Sequence, residues 1–352
     1  MDQGHFQAIC RDLSTRIRWI SGKYFALNKG MKEVKNIDKG ISDYVKVRFS
    51  GMYTKPSEIE DIKSTLILDG DPLGRWPELP IVMTAREKGG MPYDMSSLPF
   101  PLEKKQMIII GRMLYHPLDA VIFITTGVGG SGKSTFLNLV RQLFDNDCAN
   151  TSLTSLSNEF MVAEAVKHRL IASDEIGKGD NDEEMLKRLS AKNPMTINPK
   201  NKTPYEVMSQ SSIFYCCNKE PVLDITDTGI LRRIVYYRRD TPISNPVEGM
   251  DCQRFTDDQL LTVARQALAI DGGFRGDDWK DNFLVETHKT LSANSSVFKY
   301  RNLAFYDQYR ETCKENGLKP YSSPRWEEQR RMFDEWDEQD RKILVDTEDL
   351  PF

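Results

Sequence analysis

The middle of the chain alternates short, strongly apolar runs with amphipathic segments. Apolar runs occupy residues 121–126, 170–173, 211–217 and 234–237, and an amphipathic segment, 136–144, follows the first of them. A continuous apolar run of this length is typical of a strand that is buried on both faces, whereas apolar residues at helical spacing indicate a helix with one buried face. The alternation predicts an α/β fold, in which helices flank a mostly parallel sheet.

The N-terminal hundred residues predict a smaller mixture of helices and strands. The spacing of apolar residues predicts a helix over residues 4–20, and a hairpin is expected around the turn-like residues 28–30. A second helix is expected at 37–49 and a third at 57–68, within a stretch rich in proline and glycine that otherwise indicates loops. This pattern predicts a small α+β unit that ends near residue 100.

The last hundred residues predict mainly helices. One helix is expected at 257–270, before a linker rich in glycine and aspartate. Two more are predicted, the first ending at Gly317 and the second beginning near Pro324, because glycine favours the position after a helix and proline favours its first turn. A winged-helix arrangement is one expectation for this pair, although acidic residues on the second helix argue against DNA binding by it.

The composition is that of a globular protein with a small negative charge. The chain has 352 residues and a formal net charge of −4, which leaves room for a local basic groove. No apolar run approaches the roughly 18 residues of a membrane-spanning helix, and the first residues do not resemble a signal peptide. We therefore expect a cytosolic location and no membrane partner. The six cysteines lack C-x-x-C spacing, so neither a disulfide framework nor a cysteine metal site is expected.

A glycine-rich segment with phosphate-binding spacing joins the first apolar run to the helix after it. Gly127, Gly132, Lys133 and Ser134 fit the pattern G-x-x-x-x-G-K-[ST]. Glycines leave backbone N–H groups free to surround a polyphosphate, the lysine reaches its β- and γ-oxygens, and the serine can ligate Mg²⁺. The predicted nucleotide-binding residues are Gly127, Gly129, Gly130, Ser131, Gly132, Lys133, Ser134 and Thr135. The alternative, a chance glycine-rich turn, is disfavoured by the flanking strand and helix.

Two further strand ends carry polar side chains that suit phosphoryl chemistry. Asp174 and Glu175 follow the second apolar run, where one carboxylate can hold Mg²⁺ and the other can polarise an attacking water. Asn218 ends the third run and is a candidate sensor beside the γ-phosphate, with a turn-forming Asn as the alternative. With Ser134 as a second metal ligand, these residues predict a site for ATP and Mg²⁺.

Two basic features complete the candidate residues. Arg232 and Arg233 precede the fourth run, where an arginine finger can emerge toward a neighbouring subunit; an ordinary solvated pair is the alternative. Residues 195–207 predict a projecting hairpin between the second and third runs, and it can contact a nucleic-acid backbone unless it is only a solvated loop. The positive charges of this region are Lys187, Arg188, Lys192, Lys200 and Lys202.

The order of the phosphate loop, the Asp-Glu strand, the basic hairpin, the Asn-ended strand and the Arg-Arg pair resembles a superfamily 3 helicase. The likeness is greatest to the phage and plasmid primase-helicase type and covers residues 104–240. It implies an AAA-like ATPase that forms a ring, usually a hexamer, and translocates on single-stranded DNA. It also implies an ATP and Mg²⁺ site of Lys133, Ser134, Asp174 and Glu175, a sensor at Asn218, a finger at Arg232 or Arg233, and a hairpin contact at Lys200 or Lys202.

The predicted organisation has three parts: an N-terminal accessory or oligomerisation domain at 1–100, the ATPase core at 101–245 and the helical region at 246–352. The expected function is that of a replicative DNA helicase of a phage, plasmid or other mobile element in a bacterial host cytoplasm. Its expected partners are single-stranded DNA, forked duplex, further copies of the chain, and a primase or polymerase. Two alternatives stay open: a P-loop kinase of a small molecule, and an ATP-gated loader or scaffold that binds DNA without unwinding it.

Overall fold

The computed structural model describes most of the chain as helices and strands. The described residues are 1–27, 31–49, 52–175, 183–200, 204–218, 221, 223, 227–244, 248–293 and 295–348. The strands among them are β1 (Ile17–Ile20), β2 (Lys23–Ala26), β3 (Lys32–Glu33), β4 (Ile122–Gly127), β5 (Cys148–Ala149), β6 (Leu170–Ser173), β7 (Pro194–Ile197), β8 (Tyr205–Met208), β9 (Ser212–Cys217) and β10 (Ile234–Arg239).

The α-helices are distributed over the whole chain. Those within the described residues are α1 (Gln3–Ser14), α2 (Ile37–Arg48), α3 (Pro56–Leu68), α4 (Pro80–Lys88), α5 (Lys104–Tyr115), α6 (Lys133–Leu143), α7 (Glu159–Ala165), α8 (Glu183–Ala191), α9 (Thr228–Leu231), α10 (Asp257–Asp271), α11 (Asp281–Ala293), α12 (Ser296–Lys299), α13 (Tyr306–Glu315) and α14 (Ser323–Glu348).

A five-stranded parallel sheet forms the centre of the molecule, in the order β10-β4-β9-β6-β5. Its four longer strands are almost wholly buried, as expected for strands that read as continuous apolar runs. Because the strands are parallel, their carboxyl ends meet at one edge of the sheet, which we call the carboxyl edge; their first residues form the amino edge. The predicted α/β fold class is confirmed.

Successive residues of each central strand pack on opposite faces of the sheet, as the two-residue period of a strand requires. Phe123 of β4 and Phe214 of β9 join a hydrophobic cluster that includes α5, α6 and α10. Their neighbours Ile122 and Ile213 join a second cluster, which includes α7 and α8. Helices therefore cover both faces, and the sheet edge is where polar side chains can gather.

Helices from outside the predicted ATPase core also pack on the face of the sheet that carries Phe123 and Phe214. Val82 and Ala85 of α4 lie in the same hydrophobic cluster as Val263 and Ala267 of α10 and the whole apolar face of α5. Helix α4 occupies part of the stretch that was expected to be loops, so that expectation is wrong there. The domain boundaries at residues 100 and 245 stay predictions.

The N-terminal helix is shorter than predicted. Helix α1 ends at Ser14, and Ile17 and Ile20 lie on β1, which pairs with β2 across a two-residue turn. The turn residues, Ser21 and Gly22, have φ of 42° and 96°, the left-handed conformation that a tight hairpin needs. The expected helix is therefore wrong in its last third, because hairpin pairing overrides the helical spacing of the apolar residues.

The remaining N-terminal elements agree with the sequence. Strands β2 and β3 pair antiparallel and form the predicted hairpin, whose expected tip at 28–30 lies outside the described residues. Helices α2 and α3 stand where they were predicted. The apolar faces of α1, α2 and α3 share a small hydrophobic cluster of their own.

The C-terminal region is helical, as predicted. Gly317, with φ of 67°, follows α13, and Pro324 lies in the first turn of α14. No strand occurs among the residues described after 244, so they contain helices but no β-wing, and the winged-helix expectation finds no support in them. Among the described helices, none combines the length and the hydrophobicity that crossing a membrane requires.

Candidate nucleotide-binding site

The segment from β4 to α6 folds as a compact anion-binding loop. Gly127, Gly130 and Gly132 have φ of 137°, 73° and 83°, which residues with side chains rarely adopt. At Gly127, a Cβ atom would lie 1.9 Å from the carbonyl oxygen of Arg239, so only glycine fits there. Helix α6 begins at Lys133, with Gly132 as its N-cap. The unpaired N–H groups of its first turn favour an anion in the loop.

Lys133 fills the centre of this loop. Its Nζ donates hydrogen bonds to the carbonyl oxygens of Gly127 and Val128 at 2.9 and 2.7 Å, and to Ser131 Oγ at 3.3 Å. The side chain is buried, and its burial lowers the pKa of the amine below the ordinary value. All three partners are neutral oxygens. A polyphosphate in the loop would offer the ammonium group charged acceptors, which bind it more strongly.

A cleft of about 470 Å³ opens beside the loop, a volume typical of small-molecule sites. The cleft brings most of the predicted phosphate-loop residues together with Asn218, which ends β9. Its lining consists of Phe100, Pro101, Gly129, Gly130, Ser131, Gly132, Lys133, Ser134, Thr135, Asn218, Arg239, Ile243, Met250 and Asp251.

Asp174 and Glu175 lie at the same carboxyl edge, beyond the end of β6. Both residues are exposed, and the backbone N–H of Glu175 donates to Ser173 Oγ at 3.1 Å. Only β9 separates β6 from β4, so the ends of these two strands are roughly 10 Å apart. Magnesium keeps several waters and binds proteins through one or two carboxylates plus phosphate oxygens. Ser134 and Asn218 line the cleft whereas Asp174 and Glu175 do not, so the Mg²⁺ site of Ser134 and Asp174 stays a prediction.

Arg232 and Arg233 lie at the amino edge, just before β10. That strand runs parallel to β4 and pairs with it over its whole length, so the arginines stand at the opposite edge from the phosphate loop. Arg232 is exposed, whereas the guanidinium of Arg233 donates to the Gly229 carbonyl and burial lowers its pKa. The fold does not bring this pair to the nucleotide cleft of its own chain.

The predicted basic hairpin is present as β7 and β8, which pair antiparallel. Lys200 is exposed near its tip, and Lys202 lies in the segment 201–203, outside the described residues. Asn198 Nδ2 donates to Glu159 Oε2 at 3.1 Å and so ties one arm of the hairpin to α7. The next residue on α7, Phe160, is 52 % exposed. Sequence reasoning missed Phe160, because a lone aromatic residue in an amphipathic segment is usually part of a core.

The charge of this region is smaller than the sequence suggested. Lys187 is ion-paired with Glu184 and Asp227, both at 2.8 Å. Lys192 is buried, and its Nζ donates to the carbonyl oxygen of Ser211. Removal from water disfavours the charged amine and lowers the pKa of Lys192 to about 7. The expectation that both lysines belong to a basic surface is therefore wrong, which leaves Lys200 as the exposed hairpin lysine of the described residues.

Six residues of the cleft lie outside every predicted motif: Phe100, Pro101, Arg239, Ile243, Met250 and Asp251. Phe100, Ile243 and Met250 give the cleft an apolar side, and the backbone N–H of Ile243 donates to the Gly130 carbonyl at 3.0 Å. Arg239 reaches the cleft because the end of β10 pairs with the end of β4. This pairing joins residues far apart in sequence, so no local pattern could have indicated it.

Comparison with known proteins bears on the fold. A family model described as a family of unknown function, DUF5906, matches residues 125–233. No curated protein matches the chain. The apo structure of the NrS-1 C-terminal region is similar at a TM-score of 0.53 and 14% identity, covering 94% of this chain and 86% of that one. This likeness shows that the two chains share a fold.

Two further solved structures are more distant in shape. The A form apo structure of the NrS-1 C-terminal region has a TM-score of 0.49 and 15% identity, with 92% of this chain and 85% of that chain covered. A structure of JCV helicase has a TM-score of 0.29 and 11% identity, with coverage of 62% and 67%.

Proposed function

We propose that the chain is an ATP-hydrolysing DNA helicase that assembles as a ring, usually a hexamer, and translocates on single-stranded DNA. The observation that carries this proposal is the arrangement at the carboxyl edge. The phosphate loop, Asn218 and the Asp174–Glu175 pair end three adjacent parallel strands, β4, β9 and β6. This arrangement matches the order of motifs by which the sequence resembles superfamily 3 helicases.

Each residue of the edge has a role in the proposed hydrolysis. Lys133 and the loop N–H groups bind the β- and γ-phosphates. Asp174 and Ser134 would hold Mg²⁺, which would supply positive charge beside the phosphoryl group. Glu175 orients or polarises the attacking water, and Asn218 contacts the γ-phosphate from the middle strand. The chemistry of phosphoryl transfer is mostly positioning and charge stabilisation, and these residues supply both, apart from the arginine that a neighbouring chain contributes in our proposal.

DNA contact is assigned to the hairpin of β7 and β8. Along the chain the hairpin lies between β6, which is followed by Asp174, and β9, which is followed by Asn218. The segments that carry the hairpin therefore also carry residues of the proposed γ-phosphate site. Lys200 supplies a phosphate contact, and the nearby exposed ring of Phe160 is suited to stack on a base. A kinase of small molecules has no use for such a hairpin, which favours the helicase.

ATP hydrolysis and strand separation test the proposal together. Phosphate release would be measured with and without single-stranded DNA, alongside ATP-driven separation of forked duplexes with 3′ or 5′ tails and the mass of the assembly. We expect DNA to stimulate hydrolysis and one tail polarity to support unwinding, with Lys133→Ala as the inactive control. DNA-stimulated hydrolysis without strand separation would favour the loader, and phosphoryl transfer to a small acceptor would favour the kinase.

A further inference from the structure

Arg239 lies against the phosphate loop at the last residue of β10. In the strand register it pairs with Gly127, and its carbonyl oxygen accepts a hydrogen bond from the N–H of Val128 at 3.2 Å. Its side chain is 15 % exposed and lines the nucleotide cleft. Nη1 is 3.6 Å from the point where a Cβ of Gly132 would stand. The backbone is thus fixed, and the guanidinium lies beside the helix cap that favours anions.

The guanidinium of Arg239 is held by Glu103, the residue before α5. Nη2 of the arginine lies 3.3 Å from Glu103 Oε1, and the other carboxylate oxygen accepts a hydrogen bond from the hydroxyl of Tyr237 at 2.7 Å. Glu103 is 53 % exposed. An ion pair that water reaches this freely contributes little stability, so a better anion can displace the carboxylate at small cost.

Two cationic side chains that can bind phosphate, Lys133 and Arg239, line the cleft, and Asp251 is the carboxylate among its lining residues. The position of Arg239 in the sheet indicates which phosphates of a nucleotide it can contact. Asn218 and Asp174 lie on one side of β4, toward β9 and β6, whereas Arg239 lies on the other side, on β10. A γ-phosphate directed at Asn218 and Asp174 therefore points away from Arg239, which leaves the α- and β-phosphates on the side of Arg239.

We propose that Arg239 binds the α- or β-phosphate of the nucleotide and leaves Glu103 to do so. The apolar residues Phe100, Ile243 and Met250 lie on the same cleft and receive the base beyond it. This inference rests on the proposed function only in that the loop binds a nucleotide; it does not require hydrolysis, ring assembly or DNA. Arginine suits the role because its planar fork forms strong charge-assisted hydrogen bonds with phosphate oxygens.

Equilibrium binding of ADP and of a non-hydrolysable ATP analogue tests the exchange. Arg239→Ala should weaken both ligands to the same extent, by about ten-fold or more, since it removes charged hydrogen bonds to phosphates that both ligands carry. Glu103→Gln should tighten both by about two- to five-fold, because it removes the competing charge yet keeps an acceptor for the Tyr237 hydroxyl. In the double variant the gain from Glu103→Gln should vanish, as expected when two residues act through one contact.

Arg238→Ala is the matched control, since it removes the same charge from the exposed neighbour on β10 and should leave both affinities unchanged. A misfolded variant cannot bind the nucleotide more tightly. Tighter binding by Glu103→Gln would therefore show that Glu103 competes with the nucleotide for Arg239, and could not result from damage to the fold. Loss of affinity for the ATP analogue alone would overturn the α- and β-phosphate assignment. The proposal that Arg239 leaves Glu103 to bind a phosphate would be overturned if Arg239→Ala bound both ligands as wild type does. It would also be overturned if Glu103→Gln had the same effect in wild type and in Arg239→Ala. If wild type binds ADP as described but DNA never stimulates hydrolysis, the helicase proposal fails while this one stands.

Discussion

At the scale of single residues, Lys133 lacks a negatively charged partner among its hydrogen-bond acceptors, and the phosphates of a nucleotide would supply one. Its amine is buried among neutral oxygens of its own loop, and its pKa is lowered by that burial. We expect Lys133→Ala to lose nucleotide affinity and turnover, because no other side chain of the loop can bring a positive charge into contact with the β- and γ-phosphates. Nucleotide affinity and the rate of phosphate release measure the effect.

Glu175→Gln separates chemistry from binding. The carboxylate is exposed at the carboxyl edge and contributes in our proposal only to the attacking water. Losing a general base costs about 100-fold or more in rate. The variant should therefore bind ATP normally and hydrolyse it slowly. Near-normal turnover in this variant, or in Lys133→Ala, would remove the residue concerned from the proposed site.

Lys192 gives a prediction about stability. Burial lowers the pKa of its amine to about 7, whereas an unfolded lysine titrates near 10.5. Between these values the unfolded chain holds a proton that the folded chain lacks, so the free energy of unfolding should rise with pH, by up to about 1.4 kcal/mol per pH unit from this group. Below pH 7 the amine is protonated in both the folded and the unfolded chain, so the free-energy cost of burying its charge does not change with pH. Above pH 10.5 the amine is neutral in both states and this cost is absent.

Lys192→Met removes the titrating group at this site. Chemical denaturation between pH 7.5 and 9.5 should show a smaller gain in stability with pH for this variant than for wild type. Lys187→Met is the control, since the partners Asp227 and Glu184 raise the pKa of that half-buried lysine and place its titration above the window. Equal pH slopes in wild type and Lys192→Met would mean that the amine stays charged when buried.

At the scale of elements, the four longer central strands could be predicted because each contains a continuous apolar run. Strand β5 could not, because its two residues form no recognisable run. Strand β1 could not, since Leu13, Ile17 and Ile20 continue the helical spacing of α1 and only the left-handed turn after Ile20 commits the segment to a hairpin. Helix α4 was hidden for another reason. It is short and begins at Pro80, so its composition resembles the loops around it.

The hairpin of β7 and β8 is the element with the sharpest test. Replacing Lys200 and Lys202 with alanine should weaken binding of single-stranded DNA and lower the slope of log affinity against log salt by up to about two counterions. Basal ATP hydrolysis should survive. The same loss of charge at two exposed lysines of α2, Lys39 and Lys46, serves as the control. An unchanged salt slope in the hairpin variant would return the segment to an ordinary solvated loop.

At the scale of the whole molecule, the sequence predicted the residues of the carboxyl edge but not everything that closes the cleft. The phosphate loop, Asp174 and Asn218 each follow a strand and are recognisable locally. Arg239 reaches the cleft through the pairing of β10 with β4, and Phe100 and Met250 pack against the hydrophobic cluster that contains α5; no short pattern encodes either contact. Contacts between distant segments are therefore where sequence reasoning stopped.

If Arg232 or Arg233 is the proposed arginine finger, its position requires that it act on the nucleotide of a neighbouring chain. Arg232 and Arg233 precede β10, and the six residues of that strand, at about 3.3 Å each, place them some 20 Å from their own phosphate loop. An arginine at this distance cannot contact the γ-phosphate of its own chain. Arg232 is the exposed member of the pair, which makes it the better candidate to reach a neighbour.

We expect Arg232→Ala to reduce hydrolysis by roughly 10³- to 10⁵-fold, the effect of an arginine supplied in trans, without preventing ATP binding. Arg233→Ala should be milder, because that guanidinium is occupied by the Gly229 carbonyl. Mixing Arg232→Ala with Lys133→Ala is the decisive measurement, since some interfaces then pair an intact ATP site with an intact arginine and should regain activity. If mixed assemblies form and stay inactive, or if a confirmed monomer hydrolyses ATP at the full DNA-stimulated rate, the shared site is wrong.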